Sequence, residues 1–336
     1  MINLAKSETP APDAGRLQSA PMTLPFAIDR LPPALRHGLA LAAFAVALAG
    51  AWWQMPQPAP AGFAAPDAGL SAALPAEGGP LPISPRPVAR PALALLADGR
   101  IAAAWLGGED DEAAVWFSVL DAGGWRAPVA IANRPSTAGG SFAHVRRIGQ
   151  PVLHAEGSWL HFWYLGEMVG DSVHYSLSTD DGRHWSRPQR WPERGIPGLG
   201  APRALTDGGI ALPLGSRPAD AGGAWLRLDS TGRVVDRIAA SGDTTGWPSP
   251  DGAPLRLPDG RLLLAGRGDS PALRLWLSDD DGRTWRAGRS LGPAGDGPPA
   301  LLLGRDGRIH LAYAGSGGRE IRHLAFALDW ALETER

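Results

Sequence analysis

The sequence predicts an all-β chain folded as a β-propeller behind an N-terminal apolar helix. Three observations predict it. An eight-residue pattern, Ser-x-Asp-x-Gly-x-x-Trp, occurs at Ser178–Trp185 and again at Ser278–Trp285, each time after an alternating run, Val173–Leu177 and Leu273–Leu277. Asp-Gly or Glu-Gly turns at positions 98, 156, 207, 259 and 306 recur at intervals of 58, 51, 52 and 47 residues. A period near 50 that holds four short strands marks radially repeated blades. Finally, 44 glycines and 33 prolines punctuate apolar runs and do not pool into one low-complexity tract. Many short strands joined by tight turns have that composition.

In chain order, residues 1–35 read as a tail, 36–55 as a transmembrane anchor, 56–84 as a Pro/Ala-rich linker and 85–332 as the propeller. The stretch Gly38–Met55 carries no charge. A hydrocarbon core needs about 20 apolar residues, so this run is just long enough. Trp52 and Trp53 suit the membrane interface, and Arg30 and Arg36 before the run favour a cytoplasmic N-terminus. A cleaved signal peptide is the alternative, disfavoured by the length of the leader.

Each propeller unit reads strand, Asp-Gly turn, strand, longer loop, strand, second turn, strand. Five units can be counted, and residues 132–149 are too short to hide another. In the eight-residue motif, Asp180 and Asp280 can accept hydrogen bonds from the turn backbone. Gly182 and Gly282 can take positive φ, and Trp185 and Trp285 can fold back as buried plugs. Ser118–Trp125 is a decayed third copy.

A meander of this kind puts the Asp-Gly turns on one face of the disc. The opposite face collects the starts of the first strands and the ends of the second strands, and ligands of propellers bind there over the channel. Eight residues before the turns lie Arg90, Asp251 and Pro298. The second strands end near Glu109, Asp110, Asp111 and Glu112, then Glu167 and Asp171, Arg217 and Asp220, Arg267 and Asp269, and Arg319. Arginines and carboxylates thus gather on one face.

A net charge of −2 argues against a nucleic-acid partner. The chain has no cysteine, so disulfides and thiolate metal sites are excluded. His154, His161, His174 and His310 fall in strand patterns and form no metal cluster, and no cofactor is called for.

The eight-residue motif is the Asp-box, and residues 84–332 resemble the sialidase superfamily. They look closest to its membrane-anchored bacterial proteins, to which Val145–Leu153, Asp306–Leu311 and Ile321–Phe326 are similar. The resemblance implies six blades, an inner-membrane protein with its propeller in the periplasm, and an exo-α-sialidase type of glycoside hydrolase acting on a terminal acidic sugar. In that family three arginines clamp the sugar carboxylate. An Asp serves as acid/base, and a Tyr activated by a Glu attacks the sugar.

Carried over residue by residue, Arg90 matches the first arginine and Arg267 one that ends a second strand, while Arg319 can serve geometrically as the third. Asp111 matches the acid/base, with Asp110 beside it left open. Asp251 stands where the Tyr-activating Glu is expected, and Pro298 where the Tyr is expected. The three tyrosines, Tyr164, Tyr175 and Tyr313, lie elsewhere. The alternative reading is a catalytically degenerate propeller that binds an acidic glycan or a partner in envelope polysaccharide assembly.

Overall fold

The computed structural model describes residues 32–54, 61–66, 68–71, 75–82, 84–168, 170–191, 196–197, 201–215, 224–239, 254–267, 272–295 and 297–333. The chain divides into two compact units, Met1–Ala59 and Pro60–Arg336. In the first, the uncharged run forms part of a helix, Pro33–Gln54, along which Leu39, Leu41, Phe44, Val46 and Leu48 are exposed. Among the described residues no helix is long and apolar enough to cross a membrane. Met55, the last residue of the expected span, lies outside them.

The second unit is a five-bladed propeller of antiparallel sheets. The first blade is Val88–Leu95, Ile101–Gly107 and Ala114–Asp121, edged by Gly124–Trp125 and Val129–Asn133. The second is Arg147–Glu156, Trp159–Glu167, Asp171–Ser178 and Gln189–Arg190. In the third, Ile196–Pro197 and Arg203–Ala204 both pair with Ile210–Gly215, followed by Ala224–Leu228 and Val234–Ala239. The fourth is Leu255–Arg256, Leu262–Arg267, Ala272–Ser278 and Arg286–Pro293. The fifth is Ala300–Leu303, Ile309–Ala314 and Ile321–Phe326, completed by Glu77–Pro80 from the N-terminal side. Among the described residues the sixth blade implied by the resemblance is not formed: the five counted repeats are the five sheets.

Part of the segment expected as a linker therefore belongs to the ring. Glu77–Pro80 pairs with Arg322–Ala325 as the outer strand of the fifth blade. Further upstream, Phe63 bridges to Leu205, and Ala64 N donates to Ala204 O at 2.9 Å. Arg203 fastens this strap: its guanidinium lies 4.9 Å from the Phe63 ring and 5.8 Å from that of Trp225. A cation over an aromatic face is attracted by the ring quadrupole.

The turns repeat atom for atom. In the first, third, fourth and fifth blades the Asp of the Asp-Gly turn accepts from the amide two residues on, at 3.0–3.1 Å from Asp98, Asp207, Asp259 and Asp306. In both Asp-boxes the buried serine hydroxyl, Ser178 or Ser278, accepts from the glycine amide at 2.9 and 2.8 Å and donates to the aspartate at 2.8 Å. The indoles of Trp185 and Trp285 donate back to Gly182 O and Gly282 O at 3.0 Å. They cover their own turns, which leaves both tryptophans half-buried where full burial is expected from the motif. Trp185 also meets Phe117 and Phe162 edge-on, at 5.4 and 5.5 Å, and so joins the first two blades.

Three core imidazoles carry a pH dependence. Burial pushes His161, His174 and His323 down to about 4, helped by His154, Arg190 and His310 respectively. Both ring nitrogens of His174 are buried without a hydrogen-bond partner. The unfolded chain takes up protons near the ordinary value of 6.5, whereas the folded chain does not until about 4. Stability from these groups is therefore complete above pH 6.5 and is lost as pH falls towards 4. We predict that the melting temperature drops progressively between about pH 7 and about pH 4.5, and that His174→Met, which cannot titrate, flattens the slope. A flat wild-type profile in calorimetry over that window would contradict the assignment.

Candidate functional site

The site face is set by the first strands, two of which carry the same irregularity. Between the pairs Ala89↔Leu106 and Ala92↔Ala104, Arg90 and Pro91 stand opposite one residue, a β-bulge. Between Gly149↔Leu165 and Val152↔Trp163, Gln150 and Pro151 do the same in the next blade. Arg90 has φ 54° and Gln150 φ 48°, the left-handed region that glycine occupies without cost. Such bulges re-aim a side chain, and strained backbone of this kind gathers at functional sites.

Arg90 is half-buried; with the Gln150 carboxamide in the orientation that satisfies both of its ends, Arg90 Nη1 donates to its oxygen at 2.7 Å. The same carboxamide donates from nitrogen to Pro197 O in the third blade at 2.6 Å. Arg90 also lies against Gly297, where an added Cβ would come within 2.7 Å of Arg90 Cγ. Gly297 leads into the first strand of the fifth blade and has φ 95°.

Arg267 reaches the same segment from the fourth blade. Its Nη2 donates to Ala294 O at 3.0 Å and to Gly295 O. Arg319 is exposed on the turn that ends the second strand of the fifth blade. The preceding Gly318 sits against the start of the first blade, so a Cβ there would be 2.9 Å from Pro87 Cβ. Arg90 thus stands at the junction of the first and fifth blades and Arg267 at that of the fourth and fifth, while Arg319 lies on the turn after the second strand of the fifth.

The predicted carboxylates do not join them among the described residues. Asp111 lies in a short turn, Asp110–Glu112, whose side chains are exposed. Asp111 forms an ion pair with Arg134. Arg134 starts a short helix, Arg134–Ser141, whose N-cap Asn133 accepts from Ser136 N at 2.8 Å. Asp111, Arg134 and His144 line an open cavity of about 250 Å³ between the first two blades. A proton donor needs burial or like charge to hold its proton. Asp111 instead sits in the open beside a guanidinium. Asp251, Arg217, Asp220 and Asp269 lie outside the described residues. Glu167 is paired with Arg147 at 2.8 Å. Among the described residues no group of three or more His, Cys, Asp or Glu is arranged to hold a metal ion.

Residues 99–321, more than half of the chain, match the BNR repeat-like domain family. The chain belongs to that family. The match includes Asp111, Gln150, Arg267 and Arg319 and begins after Arg90. No curated protein sequence matches the chain. The BNR propeller is similar in fold to the GH43_1 enzyme from Xanthomonas citri, at 15% identity and a TM-score of 0.52, over 77% of this chain and 94% of that one. It is similar also to the intramolecular trans-sialidase from Ruminococcus gnavus, solved in complex with oseltamivir carboxylate, at 13% identity and a TM-score of 0.50, over 74% and 96%.

The three tyrosines of the BNR propeller are all engaged in packing. The Tyr164 hydroxyl bonds to Thr137 at 2.9 Å, and Tyr175 bonds to His161 Nδ1 at 2.9 Å. Burial pushes both phenols further from ionisation. Tyr313 is 4% exposed in the core shared with the fourth blade. No phenol stands at the start of the fifth blade, where Pro298 occupies the position.

Gln150 was not singled out from the sequence. Its signal is the repeated x-Pro step, Arg90-Pro91 and Gln150-Pro151. A fixed offset from the turn misses it because the second blade closes between Glu156 and Trp159 with two residues, whereas the first uses five between Leu95 and Ile101.

We predict that Gly297→Ala displaces Arg90 and lowers stability by about 1–3 kcal/mol, from a strained φ and a close contact together. Gly317, with φ 70° and open space around it, is the control for backbone strain alone. Equal losses for the two alanine variants in urea denaturation would show that Gly297 does not press on Arg90.

Proposed function

We propose that this BNR propeller is a carbohydrate-binding protein of the sialidase type that takes a terminal acidic sugar over its channel. It recognises that sugar without the covalent tyrosine route. One observation carries the reading: Arg90, held in a strained bulge and oriented by a neutral amide, lies with Arg267 and Arg319 at the strand ends opposite the Asp-Gly turns. Guanidinium groups bind carboxylates through two parallel hydrogen bonds, and Lys cannot reproduce that fork.

A hydrolytic reading, exo-α-sialidase-type cleavage with Asp111 as acid and Asp251 in support, is favoured by one observation. The Asp110–Glu112 turn and Arg90 lie at the same end of the first blade. A retaining reaction still needs a nucleophile, and Pro298 supplies none. We predict that Arg90→Ala weakens binding of acidic glycans on an array by about 30-fold or more, the loss expected for one partner of a charged contact. Fluorogenic sialoside turnover is expected to be absent. Robust turnover lost in Asp111→Asn would establish the hydrolytic reading in its place.

We further propose attachment to the bacterial inner membrane with the propeller in the periplasm. The uncharged run Gly38–Met55, the arginines before it and the exposed apolar side chains of the helix support this. In a membrane preparation washed with alkaline carbonate, the full chain is expected to stay with the pellet, and protease added to spheroplasts is expected to digest its C-terminal part. Release into the wash would sink the anchor.

A further inference from the structure

We propose that Gln150 is the positioning residue of the anion site: it fixes the Arg90 guanidinium at the channel mouth and leaves its positive charge available to a ligand carboxylate. The proposal rests on the acidic-sugar reading above and assigns the residue that makes Arg90 selective for an anion.

The first argument is conformational. Arg90 and Gln150 occupy equivalent bulges in adjacent blades, both with positive φ and both before a proline. A residue before proline is pushed towards extended backbone, so the left-handed region is doubly disfavoured there. Glycine would satisfy either position at lower cost. The chain holds a long polar side chain at each, and the two side chains meet.

The second argument is chemical. The carboxamide accepts from Arg90 Nη1 at 2.7 Å and donates to Pro197 O at 2.6 Å. One side chain thereby ties the first strands of three blades. A carboxylate in its place would accept from Arg90 but turn lone pairs towards the Pro197 carbonyl. It would also cancel the charge of Arg90, as the carboxylates Asp121 and Glu167 do for Arg126 and Arg147. Among the described residues no carboxylate pairs with Arg90. A neutral acceptor gives direction without neutralisation, and an anion arriving from the channel meets a cation that Gln150 orients without cancelling its charge.

The third argument is steric. Gly297 packs against the base of the Arg90 side chain, where an added Cβ would lie 2.7 Å from Arg90 Cγ and 3.2 Å from its amide nitrogen. A backbone wall confines the stem of Arg90 and its Nη1 meets the Gln150 acceptor, so part of its ordering precedes binding and does not oppose it.

The test compares the full chain with Gln150→Gly, Gln150→Glu and Arg90→Ala. Calorimetric titration with N-acetylneuraminic acid and with glucuronic acid is set beside melting temperature and the ¹⁵Nε–H signal of Arg90, assigned by its loss in Arg90→Ala. Gln150→Gly is expected to melt at or above the wild-type temperature, because glycine accepts the φ, yet to bind about tenfold more weakly. Gln150→Glu is expected to bind more weakly still. If both variants bind within twofold of wild type while Arg90→Ala does not bind, the role of Gln150 is overturned and the acidic-sugar reading stands. If Arg90→Ala binds like wild type, that reading falls. If wild type binds neither sugar the reading also falls, and the Arg90 signal decides the positioning role. A sharp signal lost in Gln150→Gly supports it, and an unchanged signal overturns it.

Discussion

The ring depends on one set of main-chain bonds, those between Glu77–Pro80 and Arg322–Ala325. A propeller is a row of sheets bent into a circle, and its chain ends are not joined covalently. Without the N-terminal strand the fifth blade would present an open edge, and edges invite pairing with other chains. The pairing also sets the distance between the fifth and first blades. Their interface is apolar, with Leu93, Ala103 and Trp105 packed on Ala312, Ala314 and Ile321. Gly297 meets Arg90 and Gly318 meets Pro87 at that same interface. The interface that closes the ring therefore also forms part of the surroundings of Arg90.

Most of the fold is legible in the sequence because its devices are local. The Ser178–Trp185 and Ser278–Trp285 turns bond within themselves, so their geometry follows from their own residues. The Asp-Gly turns likewise close on amides two residues away. What escapes is non-local. Glu77–Pro80 contains two glycines and a proline and carries no strand signal of its own, and only the waiting edge of Ile321–Phe326 makes it a strand. The helix at Arg134–Ser141, with two glycines, two serines and a proline in eight residues, has poor intrinsic propensity and depends on its Asn133 cap.

The site divides along the same line. Arg90, Arg267 and Arg319 could be placed at the strand ends opposite the Asp-Gly turns from turn spacing, because a meander fixes on which face of the disc each strand begins and ends. Their partners could not. Arg267 bonds carbonyls 27 and 28 residues away, and Asp111 finds Arg134 across a blade edge. The fixed-offset rule also fails in the second blade, where a shorter hairpin slides the x-Pro step two residues nearer the turn. An offset measured from a turn is only as good as the constancy of that turn's length.

A propeller can change chemistry without changing shape, and the tyrosines show how. Tyr164 and Tyr175 serve the packing of the second blade, where hydroxyls meet Thr137 and His161 inside the protein. Moving a phenol to position 298 would alter neither the sheets nor the closure, since that residue lies ahead of the strand Ala300–Leu303. The reverse also holds: loss of such a phenol leaves the blades intact. The conformations of Arg90 and Gln150 are costlier to discard, because both residues are built into bulges whose strain the surrounding sheets must bear. Persistence of two disfavoured backbone conformations in adjacent blades is the physical reason to look for function there, in binding first and in turnover only where a nucleophile can be found.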